Sequence, residues 1–117
     1  MHELSIALRV VAVAAEEAAR YDGARVVAVH LALGPLSGTV PEALATAFEF
    51  ARADSPLAAA RLVIEETPIA VHCPRCREDA DVESILHLRC PRCGTPTAEV
   101  VSGRELEITS LELEEPP

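Results

Sequence analysis

A small α/β fold of the α+β kind, a mixed sheet packed with two helices and carrying an inserted cysteine ribbon, is what three features of this 117-residue sequence predict. Apolar residues recur at helical spacing near the start, alternating apolar runs follow at strand spacing, and all four cysteines fall in two Cys-x-x-Cys turns. Such a length accommodates one compact domain with, at most, a small metal-held subdomain.

Leu4, Leu8, Val11, Ala15 and Ala18 form a helical stripe from which Glu16, Glu17 and Arg20 are excluded, so an amphipathic helix is expected over about Glu3 to Tyr21. Asp22-Gly23 ends it. From Arg25 to Leu33, Val27, Val29, Leu31 and Leu33 alternate with Val26, Ala28, His30 and Ala32. Both faces are largely apolar, as in a central strand covered on two sides. Gly34-Pro35 and Ser37-Gly38 then break the chain. Thr39 followed by Glu42 reads as a capping box, with Pro41 in the first turn, for a second helix over about Val40 to Ala53 that buries Leu44, Ala47, Phe48 and Ala51. Asp54-Ser55-Pro56 stops that helix, and Arg61 to Thr67 reads as the next strand.

After Pro68, Ile69 to His72 lead into Cys73-Pro74-Arg75-Cys76 and Cys90-Pro91-Arg92-Cys93-Gly94. Between these turns Arg77 to Val82 reads as a polar loop and Ile85 to Arg89 as a short strand. Glu99 to Val101, a Ser102-Gly103 turn and Glu105 to Glu112 read as a returning hairpin. In the last strand Leu106, Ile108, Leu111 and Leu113 slip register near Thr109-Ser110, which predicts a bulge. The expected organisation is an α/β domain of residues 1–69 and 103–117, interrupted by a ribbon at 70–102.

Two Cys-x-x-Cys knuckles can present Cys73, Cys76, Cys90 and Cys93 tetrahedrally to one ion, and structural Zn(II) is the expected occupant. Disulfides within each knuckle would close tiny loops and constrain little. A rubredoxin-like iron site is the main competitor, because tetrahedral thiolate suits both metals. Gly94 supplies a residue that accepts positive φ after the last cysteine. His72 and His87 lie beside the cysteines, but four thiolates already close a structural site, so both read as neighbours of the ligands or surface residues. His30, among apolar residues, reads as a satisfied half-buried histidine.

Half the residues are hydrophobic but only three are aromatic, so the core must be built from Ala, Val, Leu and Ile. No apolar run approaches the ~18 residues of a membrane span. A formal charge of −9 repels phosphate and argues against a nucleic-acid partner. The start has no basic region ahead of its apolar residues and no small-residue cleavage site, which predicts a cytoplasmic protein with reduced thiols. All basic residues are arginine, and Arg75, Arg77, Arg89 and Arg92 cluster on the knuckles, where their simplest role is to offset thiolate charge and to donate hydrogen bonds nearby. No Ser-His-Asp constellation, phosphate loop or metalloprotease helix motif makes a case for an enzyme.

Met1-His2-Glu3 is a second metal candidate. A terminal amine, a deprotonated backbone amide and the His2 imidazole can lie in one plane, a geometry that favours Ni(II) or Cu(II) over Zn(II), and Glu3 can add an oxygen. On residue chemistry alone an early histidine is more often incidental than a ligand.

Met-His-Glu-Leu-Ser-Ile at the start, the amphipathic helix, the Val-rich strand, Leu36-Ser37-Gly38-Thr39-Val40-Pro41-Glu42-Ala43-Leu44, Phe48-Glu49-Phe50-Ala51 and the double knuckle before an acidic final strand together resemble the HypA/HybF family over essentially the whole chain. That family comprises nickel metallochaperones for NiFe-hydrogenase maturation. The resemblance implies that His2 is the principal ligand of transported Ni(II), with the Met1 amine and Glu3 nearby, and that Cys73, Cys76, Cys90 and Cys93 hold structural Zn(II). Its implied partners are a HypB-like GTPase, the hydrogenase large-subunit precursor and, in some organisms, urease accessory proteins. The first helix, with Glu16 and Glu17, offers a face for the GTPase. Some members bring a carboxylate to nickel from the loop before the second helix; here that stretch is Thr39-Val40-Pro41-Glu42, without Asp. Others couple pH to zinc through a His after the knuckles; here Arg77-Glu78 and Gly94 stand there, and that behaviour is not carried over. Two other functions compete: a zinc-ribbon adaptor for a protein or nucleic acid, and an iron electron carrier.

Overall fold

The computed structural model describes residues 2–22 and 24–115. In chain order it contains α1 (His2–Ala18), β1 (Arg25–Leu33), a 3-10 turn (Pro35–Ser37), α2 (Pro41–Ala51), β2 (Arg61–Glu66), β3 (Ile69–Cys73), β4 (Glu78–Val82), β5 (Val100–Ser102) and β6 (Leu106–Glu114). Two three-stranded sheets result, ordered β2-β1-β6 and β4-β3-β5. The mixed α/β class is as expected. The chain forms two compact units, one of Met1–Leu31, Thr39–Glu65 and Glu107–Pro117, the other of Ala32–Gly38 and Glu66–Leu106.

In the first unit α1 buries Ala7, Val10, Val11, Ala14 and Ala18. The buried stripe is therefore rotated from the expected one, and Leu4 and Leu8 are exposed. The reason is size: alanines at 7 and 14 let the helix approach its neighbours closely, and both are fully buried. Leu44 and Phe48 of α2, Val26, Val29 and Leu31 of β1, and Leu57 and Ala60 complete this core. The helix ends at Ala18 rather than Tyr21, where bonds from Arg20 N to Glu17 O and Tyr21 N to Ala18 O tighten the last turn.

No capping box forms on α2. Its N-cap is Val40, without a side-chain cap bond, and Pro41 is the first helical residue. Proline fits the first helical position, with φ preset and no amide to satisfy, and that places the start one residue beyond where Thr39 could cap.

β1 is the central strand, as its two apolar faces predict. The Arg25–Glu114 ion pair and the bond from the Thr109 hydroxyl to His30 O run in opposite directions along the two strands, as in antiparallel neighbours. Thr67 N, just past β2, donates to Leu33 O at the end of β1, so these two strands run the same way across the α2 crossover. Ile108, Leu111 and Leu113 of β6 all pack against the core. Their spacing of three then two is the expected slip at Thr109-Ser110.

In the second unit β3 pairs antiparallel with β4, from Ile69↔Val82 to Cys73↔Glu78, and with β5. Three expectations are corrected here. Residues Glu78–Val82 are a strand rather than a polar loop, because Ala80 and Val82 alternate with Asp79 and Asp81 along the β3 ladder. Ile85 to Arg89 alternates in sequence but forms only the isolated bridge Arg89↔Pro96, since β4 and β5 already occupy both edges of β3. The returning hairpin is absent: β5 pairs with β3 and β6 with β1.

Three stretches of this unit meet at a glycine contact. A Cβ on Gly34 would lie 2.1 Å from Gly103 O, and a Cβ on Gly103, at φ 116°, would lie 3.1 Å from Ile69 Cα. Gly34 N donates to Glu105 O and Leu36 N to Gly103 O, at 2.8 and 2.7 Å. Glu105 Oε1 accepts from the Thr67 hydroxyl at 2.8 Å and the Gly103 amide at 2.7 Å. These donors, the Thr67 hydroxyl first, hold the Glu105 carboxyl below the usual carboxylate range.

Gly34→Ala is expected to destabilise the protein by about 3 kcal/mol or more, measured by denaturant unfolding, because the backbone atoms it meets cannot move aside as a side chain does. A lowered carboxyl pKa stabilises the fold above the ordinary carboxylate range, and the contribution is lost as pH falls through the lowered value. Glu105→Gln is therefore expected to melt below the parent at pH 7, with the difference shrinking as the solution is acidified. A difference independent of pH would show that the ionised carboxylate is not the stabilising form.

Candidate metal centres

The two knuckles have the same construction. In the first, Cys73 ends β3, Cys76 N donates to Cys73 Sγ at 3.3 Å, and Arg77 N donates to Cys73 O at 2.8 Å. In the second, Gly94 N donates to Cys90 O at 2.8 Å, and Cys90 N donates to Thr95 O at 2.9 Å. The residue after each second cysteine turns left-handed, Arg77 at φ 57° and Gly94 at φ 76°. The sequence signalled this at Gly94 but not at Arg77, where a side chain occupies a conformation that glycine tolerates better.

The structure brings all four cysteines together, with every sulfur within 4.8 Å of the others. Cys73 Sγ lies 3.6 Å from Cys93 Sγ, and Cys76 Sγ lies 3.9 Å from Cys90 Sγ. A tetrahedron with metal–sulfur bonds of about 2.3 Å has edges of about 3.8 Å, so the donor set fits a tetrahedral thiolate-loving ion such as zinc. All four thiols are free. Cys73 and Cys90 are buried, Cys76 is half-buried and Cys93 is exposed.

Electrostatics in the cluster favour a cation. Cys76 is pushed up to about 12, first by its sulfur contact with Cys93 and then by burial. Cys93 is pulled down to about 6 by the hydroxyl and then the amide of Thr95. Cys93 Sγ lies 3.1 Å from Thr95 Oγ1, and in the thiolate form that hydroxyl donates to sulfur. Sulfurs this close share protons and resist several negative charges at once; a divalent ion removes that resistance and ionises the thiols outright. Sequence reasoning missed Thr95, whose only signal is its place two residues after the last cysteine.

Two of the knuckle arginines make contacts close to the turns, as expected. Arg92 forms an ion pair with Glu78 of β4, and Arg89 Nη1 lies 3.4 Å from Gly94 O. Arg92 ties the second turn to β4, and Arg89 spans the second turn itself. His72 Nδ1 is engaged by Asp79 Oδ1 at 2.8 Å, and His87 lies exposed outside the sulfur cluster. His30 Nε2, half-buried, meets Glu112 Oε2 at 2.6 Å, the satisfied histidine its neighbours predict.

At the other candidate, His2 opens α1 with its side chain 57% exposed, and its Nε2 lies 3.6 Å from Glu3 Oε2. First-turn amides have no intrahelical acceptor, so the His2 N–H is not committed to the helix. Met1, the third member of this set, lies outside the described residues. Glu42 sits in the first turn of α2, where its carbonyl accepts from Thr46 Oγ1 at 3.1 Å.

The chain matches the family model described as "HypA: Hydrogenase/urease nickel incorporation, metallochaperone, hypA" over residues 1–113. It is 46% identical over 112 residues to the hydrogenase maturation factor HypA of Chloroflexus aurantiacus, spanning 96% of this chain and 98% of that protein. Against the Roseiflexus sp. (strain RS-1) factor of the same name the identity is 45% over 115 residues, spanning 98% and 94%. The solution structure of the Ni metallochaperone HypA from Helicobacter pylori shares the fold, with TM-score 0.69 at 22% identity over 97% of this chain and 98% of that one. A second HypA solution structure aligns with TM-score 0.74 at 23% identity, over 97% of each chain.

Thr95→Val is expected to make the metal-loaded protein release its ion at a higher pH than the parent. Losing the hydroxyl raises the proton affinity of Cys93, so protons compete with the metal sooner as pH falls. A zinc-chelating dye followed through an acid titration reads the midpoint; coincident midpoints would remove Thr95 from the centre.

Proposed function

The chain belongs to the HypA family, the hydrogenase/urease nickel-incorporation metallochaperones, and from that premise we propose that it carries Ni(II) on its N-terminal residues and hands it to the large-subunit precursor of a NiFe hydrogenase. The supporting observation is the head of α1, where an exposed imidazole, a neighbouring carboxylate and an uncommitted amide stand together. In this reading the His2 imidazole and amide are the principal ligands, the Met1 amine completes a planar nitrogen set, and Glu3 adds oxygen. A planar nitrogen site selects Ni(II) over Zn(II). Few ligands on an exposed terminus also suit release, because handing over an ion requires that the holder not enclose it.

Zn(II) is the proposed permanent occupant of Cys73, Cys76, Cys90 and Cys93, where four thiolates leave no open position for chemistry. The division of labour follows: residues 1–69 and 103–117 carry nickel, and the ribbon at 70–102 carries zinc. Function is carriage rather than catalysis. A HypB-like GTPase, the hydrogenase precursor and urease accessory proteins are the proposed partners, in the cytoplasm. Among the described residues, no helix is long and apolar enough to cross a membrane.

Calorimetric titration of Ni(II) into zinc-loaded protein with a native, untagged start tests the assignment. His2→Ala is expected to weaken nickel binding by at least about tenfold, roughly 1.4 kcal/mol, with zinc content unchanged. Equal nickel binding by parent and variant would place the ion elsewhere.

A further inference from the structure

We infer that the free edge of β6, with the trough between it and α1, is a docking groove for an extended basic segment of a partner protein, which adds to the β2-β1-β6 sheet as a fourth strand. The inference is independent of the nickel reading.

β6 is nine residues long and ends its sheet, so one edge of its backbone has no strand neighbour among the described residues. Edges are guarded against indiscriminate pairing by proline, charge, bulges or a covering element. Leu106–Glu114 has no proline or lysine, and its charges are all acidic, which turns acidic chains away and admits basic ones. Beside it lies an open cavity of ≈ 390 Å³ lined by Val13, Ala14, Glu17 and Tyr21 of the α1 segment and by residues including Ile108 and Leu111 of β6. A second cavity, of ≈ 460 Å³, continues it past Tyr21 and Leu113 to Asp22 and Glu115. Val13 is 43% and Tyr21 55% exposed, so among the described residues a helix flank and one of the chain's three aromatics are only partly covered. A trough between an edge strand and a helix is the arrangement by which peptide-binding domains add a strand: main-chain bonds give affinity, and alternate side chains enter the trough.

Charge selects the occupant. From Leu106 to Glu115 the chain carries Glu107, Glu112, Glu114 and Glu115 and no cation. Glu114 pairs with Arg25, and Glu112 with His30 and Arg61. Asp22, Glu107 and Glu115 have no cationic partner among the described residues, and Glu17 has only a 3.7 Å pair with exposed Arg20. A second copy would set glutamates against glutamates across β6, which disfavours self-pairing. A strand alternating apolar and Arg or Lys residues fits instead. Its apolar side chains enter the trough over Val13 and Tyr21, and its cations face the opposite side of β6, where Glu107 has no cationic partner among the described residues.

The test uses zinc-loaded, nickel-free full-length protein and a dye-labelled eight-residue peptide alternating Val and Arg, beside one alternating Val and Glu. Fluorescence anisotropy is expected to show at least about tenfold tighter binding of the arginine peptide. Amide hydrogen exchange is expected to slow within Leu111–Glu114 when it binds. Glu107→Lys, on the face that the peptide's cations meet, is expected to weaken binding about tenfold while leaving thermal unfolding of the free protein unchanged. Absence of binding, or binding without protection of β6, would overturn strand addition. Protection of β6 that rises with protein concentration alone would overturn it in favour of a second copy.

Discussion

The close approach of Gly34 to Gly103 is the contact on which the strand ends depend. With no room for a Cβ at Gly34, backbone meets backbone, which brings Gly34 N to Glu105 O and Leu36 N to Gly103 O. Those bonds lock the end of β1 beside the start of β6. Strand register decides which side chains face inward, because a one-residue slip turns every side chain to the other face. The lock therefore helps determine that Ile108, Leu111 and Leu113 reach the core while Glu112 and Glu114 meet His30, Arg61 and Arg25. Glu105 reinforces the arrangement by accepting from Thr67 and Gly103 at once, so one carboxylate binds the exit of β2 to the entry of β6.

The sulfur cluster is a second constraint of a different kind. Its geometry comes from two copies of one local turn, in which an amide closes back on the first cysteine carbonyl and the next residue goes left-handed. Such turns can be written in four or five residues, which is why their spacing alone identifies them. The ribbon strands add position: β3 delivers Cys73, and the His72–Asp79 and Arg92–Glu78 pairs hold β4 and the second knuckle near it.

A carrier differs from an enzyme in what its site must do. Of the proposed nickel residues, the His2 side chain stands exposed at the helix start beside a partly covered Glu3, whereas the four cysteines converge around one point. One chain would then hold one metal for structure and another for transfer, separated by ligand type: thiolates for the permanent ion, nitrogens for the travelling one.

Much was legible in the sequence because it is local. The cysteine spacing, the two-sided apolar run of β1, the helical periods of α1 and α2 and the slip in β6 each lie within a dozen residues and obey backbone geometry. The family resemblance rested on such local signatures and on their order along the whole chain. What sequence misread depended on partners distant in the chain. β4 looked like a loop because Asp79 and Asp81 are acidic, yet β3 supplies a ladder that accepts polar residues. Ile85 to Arg89 looked like a strand, yet no edge of β3 remains for it. The buried face of α1 rotated toward its alanines because closeness of packing, not residue hydrophobicity alone, sets the face. Local pattern thus determined most of the elements and the candidate ligands, while the Gly34–Gly103 contact, the Thr95 contact with Cys93 and the open edge of β6 were decided by tertiary structure, since each depends on which surfaces meet and which are left without a neighbour.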